Sequence, residues 1–517
     1  MRWSPAADPA ELGRLAPGAV PGTTSMVGAA AVLTASHLGS LDVANVAVES
    51  TIRRLLVAVF IRVSGLHVAN LEAWEDRFDE LMDAGRLEPA AVTAYTTKWN
   101  GRLDLYHPER PFLQDPRLAE ECGDAAPPAK LDMTRSSGNS QPWNNRTPQT
   151  APITAHEALW WLLAWRGYGP CGLGANRSHQ DVTHKSMAAG PLRAAISWHP
   201  ATGNEFHNLL LSCPPPDVIP LVGADLPEWE QDTLPDPLRP ELPTGPVSRL
   251  VNRAAHAILT VPDPNTGQVT GCWVAWRTPV PTAIKTTSGK AALTAAAEAV
   301  TGAVDPFLVN RIKGGPTRAN HHRAMLRDVD TLIHARRGDD TTGGATLPAW
   351  IRLVESLPVD TRDRIGPIRA RALACHQDKQ EKEELWYAST TPVSIAVCLA
   401  GQHPERAAQI ARTRQAAEAT ATALAGALRT AWNAMSPDPR SECVWTGNAL
   451  AAYWDYAEAR FWPAIDDGPD PRFPALALDL YDDATRADAA TPTGLIPIAT
   501  ARARLTHPKR TRKATAA

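Results

Sequence analysis

His179-x-Asp181-x-x-His184, with His107 and Glu109 upstream, is the set of residues whose types most directly suggest catalysis. Neutral imidazoles and carboxylates are suitable metal ligands, and a metal held by them could activate water for phosphodiester cleavage. The spacing fits no metallohydrolase signature, and short clusters of this kind arise by chance. The sequence carries no Gly-x-x-x-x-Gly-Lys loop, Gly-x-Ser-x-Gly elbow or kinase set. A metal-dependent hydrolase built on His179, Asp181 and His184 is therefore the alternative reading. The leading one is a chain with no catalytic residue, no metal and no cofactor.

A second set of residues suits binding. The stretch from Ser136 to Pro148 is polar and turn-rich, yet it displays Trp143, Asn144, Asn145 and Arg146 together. Asparagine amides can donate and accept at base edges, an indole can stack on a base, and a guanidinium can meet phosphate. The plain alternative is a solvated loop with its Trp tucked against the body. Gly172-Leu173-Gly174 follows a helix instead of joining a strand to one, so it is no dinucleotide fingerprint, and its glycines read equally as loop glycines. Lys313 precedes Gly314-Gly315-Pro316, at a tip from which its ammonium can reach outward or simply be solvated. His376-Gln377-Asp378-Lys379-Gln380 reads as a polar turn after a strand.

The elements that must hold these positions follow from periodicity and punctuation. Pro108 and Pro111 make Leu105 to Pro116 a rigid, non-helical segment. Helices are predicted from Val43 to Gly65, Leu71 to Ala84 and Pro89 to Trp99, the second burying Trp74, Phe78, Leu81 and Met82. Ala155 to Trp165 is a buried helix with Thr154 as its N-cap. Ile196-Ser197-Trp198 and Leu209-Leu210-Leu211 read as strands around a Gly203-Asn204 turn. The proline-rich residues 213–248 read as a stiff surface connection. Ala257 to Val261 and Cys272 to Trp276 form a hairpin, and Arg369 to Cys375 a strand. Farther on, the sequence turns alanine-rich, with helices at Ala407–Met435, Asn448–Trp462 and Phe473–Ala489. With 393–401 these make four antiparallel helices. Residues 1–40 receive no assignment, and Lys509 to Lys513 form a basic tail. The expected fold is α+β: a large mixed N-terminal domain over 1–384, followed by a C-terminal four-helix bundle over 385–517.

Composition excludes more than it suggests. A chain of 517 residues exceeds what one core usually organises. The apolar fraction of 44% with 17 Trp says globular. A formal net charge of −3 gives no global sign of nucleic-acid binding, so any such contact must come from local patches. The 7 cysteines form no Cys-x-x-Cys pair, which argues against a zinc ribbon and suits a reducing cytoplasm. The stretch Leu55 to Val63 is bounded and interrupted by Arg53, Arg54 and Arg62, so it cannot span a membrane, and no secretory leader is read at the start.

The order of these segments resembles the large subunit of the type I-E CRISPR Cascade complex, the CasA family. The resemblance rests on Tyr106-His107-Pro108-Glu109-Arg110-Pro111-Phe112-Leu113-Gln114, the Gly/Asn loop after it, the glycines before Lys185-Ser186, and His376 to Gln380 ahead of a helical C-terminal region. It implies a non-catalytic subunit at the 5′ end of the guide RNA (crRNA). Such a subunit tests double-stranded DNA for a protospacer-adjacent motif (PAM), starts duplex opening and R-loop formation, and recruits a helicase-nuclease. By the same resemblance Trp143 and Asn145 belong to a loop at the crRNA end and the PAM neighbourhood. Gly172 and Gly174 would lay backbone in the PAM minor groove, where Lys313 would also enter. Lys379 and Gln380 would form the wedge below the PAM. Relatives carry a neutral residue where Lys379 sits and a small one where Glu381 sits, so the flanking contacts differ here.

Overall fold

The computed structural model describes residues 14–17, 25–26, 28–36, 38–43, 45–135, 148–302, 304–311, 315–319, 325–333, 345–377, 383–399, 401–436, 438, 441–465 and 468–506. It divides into two compact units, one of residues 1–319 with 336–390 and one of residues 320–335 with 391–517.

The first unit begins with β1 (Arg14–Pro17), β2 (Ser25–Met26), α1 (Ala29–Thr34) and β3 (Leu38–Asp42), with β1 between the other two strands. Then come α2 (Val46–Ser64), α3 (Leu71–Ala84), α4 (Pro89–Trp99), the single-turn α5 (Leu118–Glu121) and α6 (Ala155–Tyr168). Next are β4 (Gly172–His179), β5 (Val182–Met187), β6 (Ser197–Ala201), α7 (Glu205–Leu211), α8 (Pro246–Val251), β7 (His256–Pro262) and β8 (Val269–Trp276). After α9 (Thr287–Gly302), β9 (Asn310–Arg311) and β10 (Gly315–Pro316), the chain passes through α10 (Leu326–Ile333). It returns through β11 (Ala345–Thr346), α11 (Ala349–Ser356), α12 (Val359–Ile365), β12 (Arg369–Gln377) and β13 (Glu383–Thr390). The sheets are small and antiparallel: β13-β12-β6, β10-β9-β11, and the hairpins β4-β5 and β7-β8.

α2 is the post of this unit. Asn45 caps it by accepting from the Val48 N–H, and Gly65 at φ 86° ends it in the left-handed region. Arg53 and Arg54 are buried in ion pairs instead of facing water. Glu49 accepts from Arg53 (3.0 Å) and, across the sheet, from Arg371 of β12 (2.6 and 2.7 Å). Arg53 also reaches Glu205 at the start of α7 (3.2 Å). Arg54 grips Asp305 (2.9 and 2.8 Å) and Ser197 Oγ of β6 (2.9 Å). Burial alone would push the Glu49 carboxyl up, but Arg53 and Arg371 hold it below its ordinary range. Such buried pairs fix register, and losing one partner leaves an uncompensated charge.

Two sequence expectations for this unit change. Residues 205–211 are helix α7, not a strand, because Asn204 is an N-cap: its Oδ1 accepts from the Phe206 and His207 N–H groups. A continuous apolar run such as Leu209-Leu210-Leu211 suits a buried helix as well as a strand. Residues 213–248 are a surface connection only in part: Val222 and Leu242 are exposed, whereas Cys213, Ile219 and Trp229 are buried against the body. Trp229 is 3% exposed, and Glu230 accepts from Arg62 (2.9 and 2.6 Å) and the Tyr95 hydroxyl (2.6 Å).

In the second unit α13 (Pro404–Met435), α14 (Thr446–Ile465), α15 (Phe473–Ala489) and α16 (Leu495–Thr506) pack together, joined by α10. The fourth helix of this group is α16, whereas 393–399 form turns in place of the helix expected at 393–401. Pro497 disguises α16 in the sequence, yet proline in a first turn removes an N–H that had no partner there. Among the described residues no helix is long and apolar enough to cross a membrane.

Candidate nucleic-acid interface

The segment Leu105 to Pro116 is a clasp on the β7-β8 hairpin. The Tyr106 hydroxyl donates to the Gly267 carbonyl (2.8 Å), Asp115 N–H to that of Ile258 (3.0 Å), and Gln114 Oε1 accepts from Thr260 N–H (2.8 Å). His107 Nδ1 accepts from the N–H groups of Glu109 (3.2 Å) and Arg110 (3.0 Å), so it closes the turn between the two prolines.

α6 starts at Thr154, the N-cap its sequence predicts, and the structure adds a capping box in which Thr154 and Glu157 exchange hydrogen bonds. It delivers the chain into β4, so the glycines expected in a turn lie instead at the start of a strand. Arg177 anchors that strand. Wholly buried, it donates to Glu121 (2.6 Å), Asp115 (2.9 Å) and the Trp276 carbonyl (2.9 Å) and lies 4.9 Å from the Trp276 ring centroid. Between Leu173 and Arg177 the register with β5 shifts, a bulge that re-aims the strand.

The two glycines differ. A Cβ on Gly174 would come within 2.5 Å of Met187 Sδ and of the Val274 carbonyl oxygen on β8, so close packing requires glycine there. A Cβ on Gly172 would meet nothing within 4 Å, but its φ of +132° is one that side chains resist. Leu173 between them is 59% exposed. Lys130 Nζ donates to the Leu173 carbonyl (3.3 Å), and the Ala129 N–H to that of Gln149 (3.3 Å). The base of the loop bearing Trp143 and Asn145 is thus tied to the start of β4. Trp143 and Asn145 themselves lie outside the described residues.

The other pair of tips is tied in the same way. β9 and β10 flank Lys313, and β12 and β13 flank Lys379 and Gln380; all three residues lie outside the described ones. His376 Nδ1 is 3.4 Å from the Ala319 carbonyl, which joins the end of β12 to the chain leaving β10. Tyr168, the last residue of α6, packs its ring edge-on to Trp386 of β13 (5.4 Å). One frame therefore carries the roots of all four tips.

The hydrolase cluster does not assemble. His179 Nδ1 pairs with Glu121 (2.6 Å), while His184 stacks on Trp276 (5.0 Å, 6°) and its Nδ1 accepts from the Ser186 N–H. Among the described residues no three His, Cys, Asp or Glu side chains are placed to hold a metal ion.

The roots of these tips sit on a buried ionic and aromatic frame, and Leu173 stands exposed at the start of β4. The family model described as CRISPR-associated protein Cse1 matches residues 19–489, and the chain belongs to that family, the CasA large subunits. It is similar to a chain of a structure described as "CRISPR RNA-guided surveillance complex", at 29% identity and a TM-score of 0.81 over 98% of this chain and 99% of that one. A second such chain, described as pre-nicking, gives 28% and 0.75 over the same shares. Thermus thermophilus CasA (Cse1), at 20% identity and 0.71 over 98% of each chain, shares the fold. No curated protein matches the chain.

Proposed function

We propose that this chain is the non-catalytic, PAM-sensing large subunit of a type I-E Cascade. In that role it sits at the 5′ end of the guide RNA, tests duplex DNA, starts its opening and recruits a helicase-nuclease. The observation that carries the reading is likeness over nearly the whole of both chains to components of RNA-guided surveillance complexes, at 29% and 28% identity. The common rooting of the four tips supports it, since a groove reader and a wedge must act on neighbouring base pairs. Gly172 and Gly174 are the groove-reading backbone, Lys313 the minor-groove contact, Lys379 and Gln380 the wedge, and Trp143 with Asn145 the loop facing the guide-RNA end. Minor-groove readout is degenerate, so several PAM sequences are accepted. Initial unstacking costs a few kcal/mol per step, after which RNA–DNA pairing nearly balances the duplex it replaces. The test is affinity purification of the chain from cells co-expressing the other subunits of a type I-E Cascade and a guide RNA, followed by duplex binding. Co-purifying guide RNA and a PAM-dependent affinity are expected. Recovery of the chain without RNA, or binding indifferent to the sequence beside the target, overturns the reading.

A further inference from the structure

Of the first three residues of β4, Leu173 alone carries a side chain, with Gly172 before it and Gly174 after it. Successive residues of a strand point to opposite faces. The face of Gly174 is filled, since a Cβ there would press on Met187 and on the Val274 carbonyl of β8. Leu173 therefore points the other way, out of the packing of β4 on β8, and 59% of it is exposed. Its neighbour across the ladder is Ser186, too short to cover it.

The backbone beneath this side chain is held. Lys130 donates to the Leu173 carbonyl (3.3 Å), and its ammonium lies 6.0 Å from the Trp165 ring centroid. Trp165 in turn donates from Nε1 to the Leu131 carbonyl (2.7 Å). Lys130, the end of α6 and the start of β4 thus fix one another. A single exposed leucine is common on protein surfaces. One that is pinned by its carbonyl and flanked by bare backbone is a preorganised apolar projection, with little ordering left to lose on binding.

In a DNA minor groove A·T and T·A pairs offer only acceptors, whereas G·C adds the guanine N2 amino group. That group stands above the groove floor, so an entering side chain meets it before the acceptors. Leucine has no acceptor to offer it, and contact would bury an unpaired donor. Minor-groove proteins do use leucine and similar side chains as apolar wedges.

We propose that Leu173 is a specificity-determining contact of this chain, entering the minor groove and selecting against a guanine amino group in the base pair it overlies. The inference rests on the PAM-sensing reading above and adds a discriminating side chain to a tip otherwise read as backbone. It is tested on the assembled complex carrying the parent chain, Leu173→Ala or Leu173→Asn. Duplex affinity is measured with each PAM position set in turn to A·T, G·C or inosine·C, which removes the amino group and keeps the major-groove face of G·C. At one position the parent should bind inosine·C about as well as A·T, and G·C roughly tenfold more weakly, the usual scale of one unfavourable base pair. Leu173→Ala should lose most of that difference, and Leu173→Asn, whose amide oxygen can accept from N2, should lose or reverse it. A PAM-dependent parent that binds G·C at least as well as inosine·C at every position overturns this inference alone. So does a preference against G·C that both substitutions leave intact. A parent indifferent to the sequence beside the target overturns the PAM-sensing reading, and this inference with it.

Discussion

Gly172 and Gly174 stand two residues apart in one strand and are glycine for different reasons, which separates what their replacement measures. Gly174→Val forces a side chain onto Met187 and the β8 backbone, an overpacking cost of roughly 1–3 kcal/mol. Its first readout is a lowered melting temperature. Gly172→Ala meets open space and pays only backbone strain, about 1 kcal/mol. Its expected effect is weaker PAM-duplex binding by a protein that still assembles with guide RNA; unchanged affinity would remove Gly172 from the groove. Next to this strand, His256 donates from Nε2 to the Pro170 carbonyl (3.0 Å) and packs edge-on against Trp165. Burial pushes its imidazole down to about 4, with Arg193 and Lys130 adding to the fall. The neutral form is thus favoured in the fold. The stability this contributes is fully present above the ordinary histidine value of about 6.5 and is lost as pH falls toward 4, about 2 kcal/mol of it by pH 5. His256→Gln should flatten that part of the pH–stability profile. An unaltered slope between pH 7 and 5 would show that other groups carry it.

At the scale of elements, the sequence was most legible where local chemistry and packing agree. Thr154 announces the start of α6, and Gly65 marks the end of α2. It was least legible where distant partners decide. Arg53 and Arg54 look like interruptions of an apolar run until Glu205 and Asp305 arrive from far along the chain. Arg177 follows a glycine-rich stretch with no local sign that Asp115 and Glu121 will enclose it. Trp229 sits amid prolines that suggest a surface. The motifs themselves were legible as motifs, whereas their rooting on one frame was not, because it depends on carbonyl contacts such as Lys130 to Leu173. The β12-β13 hairpin carries the sharpest test. A side chain that only parts base pairs matters for a closed duplex and not for one already open. Gln380→Ala should impair R-loop formation on fully paired PAM DNA, and pre-melting beside the PAM should largely restore it. If Lys313 makes the proposed contact to intact PAM, Lys313→Ala should stay impaired on both. Permanganate footprinting on the two DNAs separates the cases, and paired DNA opened equally well by Gln380→Ala would return that tip to plain structure.

At the scale of the whole molecule, the two units share one chain unevenly, since residues 320–335 leave the first unit and join the second. Arg327 on α10 pairs with Glu418 of α13 (3.2 Å) and lies 4.5 Å from the ring centroid of Trp454 on α14. Arg327→Ala should lower amide-exchange protection in α10, α13 and α14 while leaving β7 and β8 as they were. Equal loss in both units would mean that they unfold as one. Leu326, Val329 and Leu332 of α10 are fully buried, and Glu458 accepts the Met325 N–H that begins its turn (2.9 Å). Severing the chain at Thr390 would therefore not yield two complete halves. The N-terminal fragment would keep a helix whose apolar face has nothing of its own bundle to cover it, and the C-terminal fragment would be left with an unfilled furrow. A synthetic peptide spanning 320–335 would be the missing stave, able to restore the C-terminal fragment in trans.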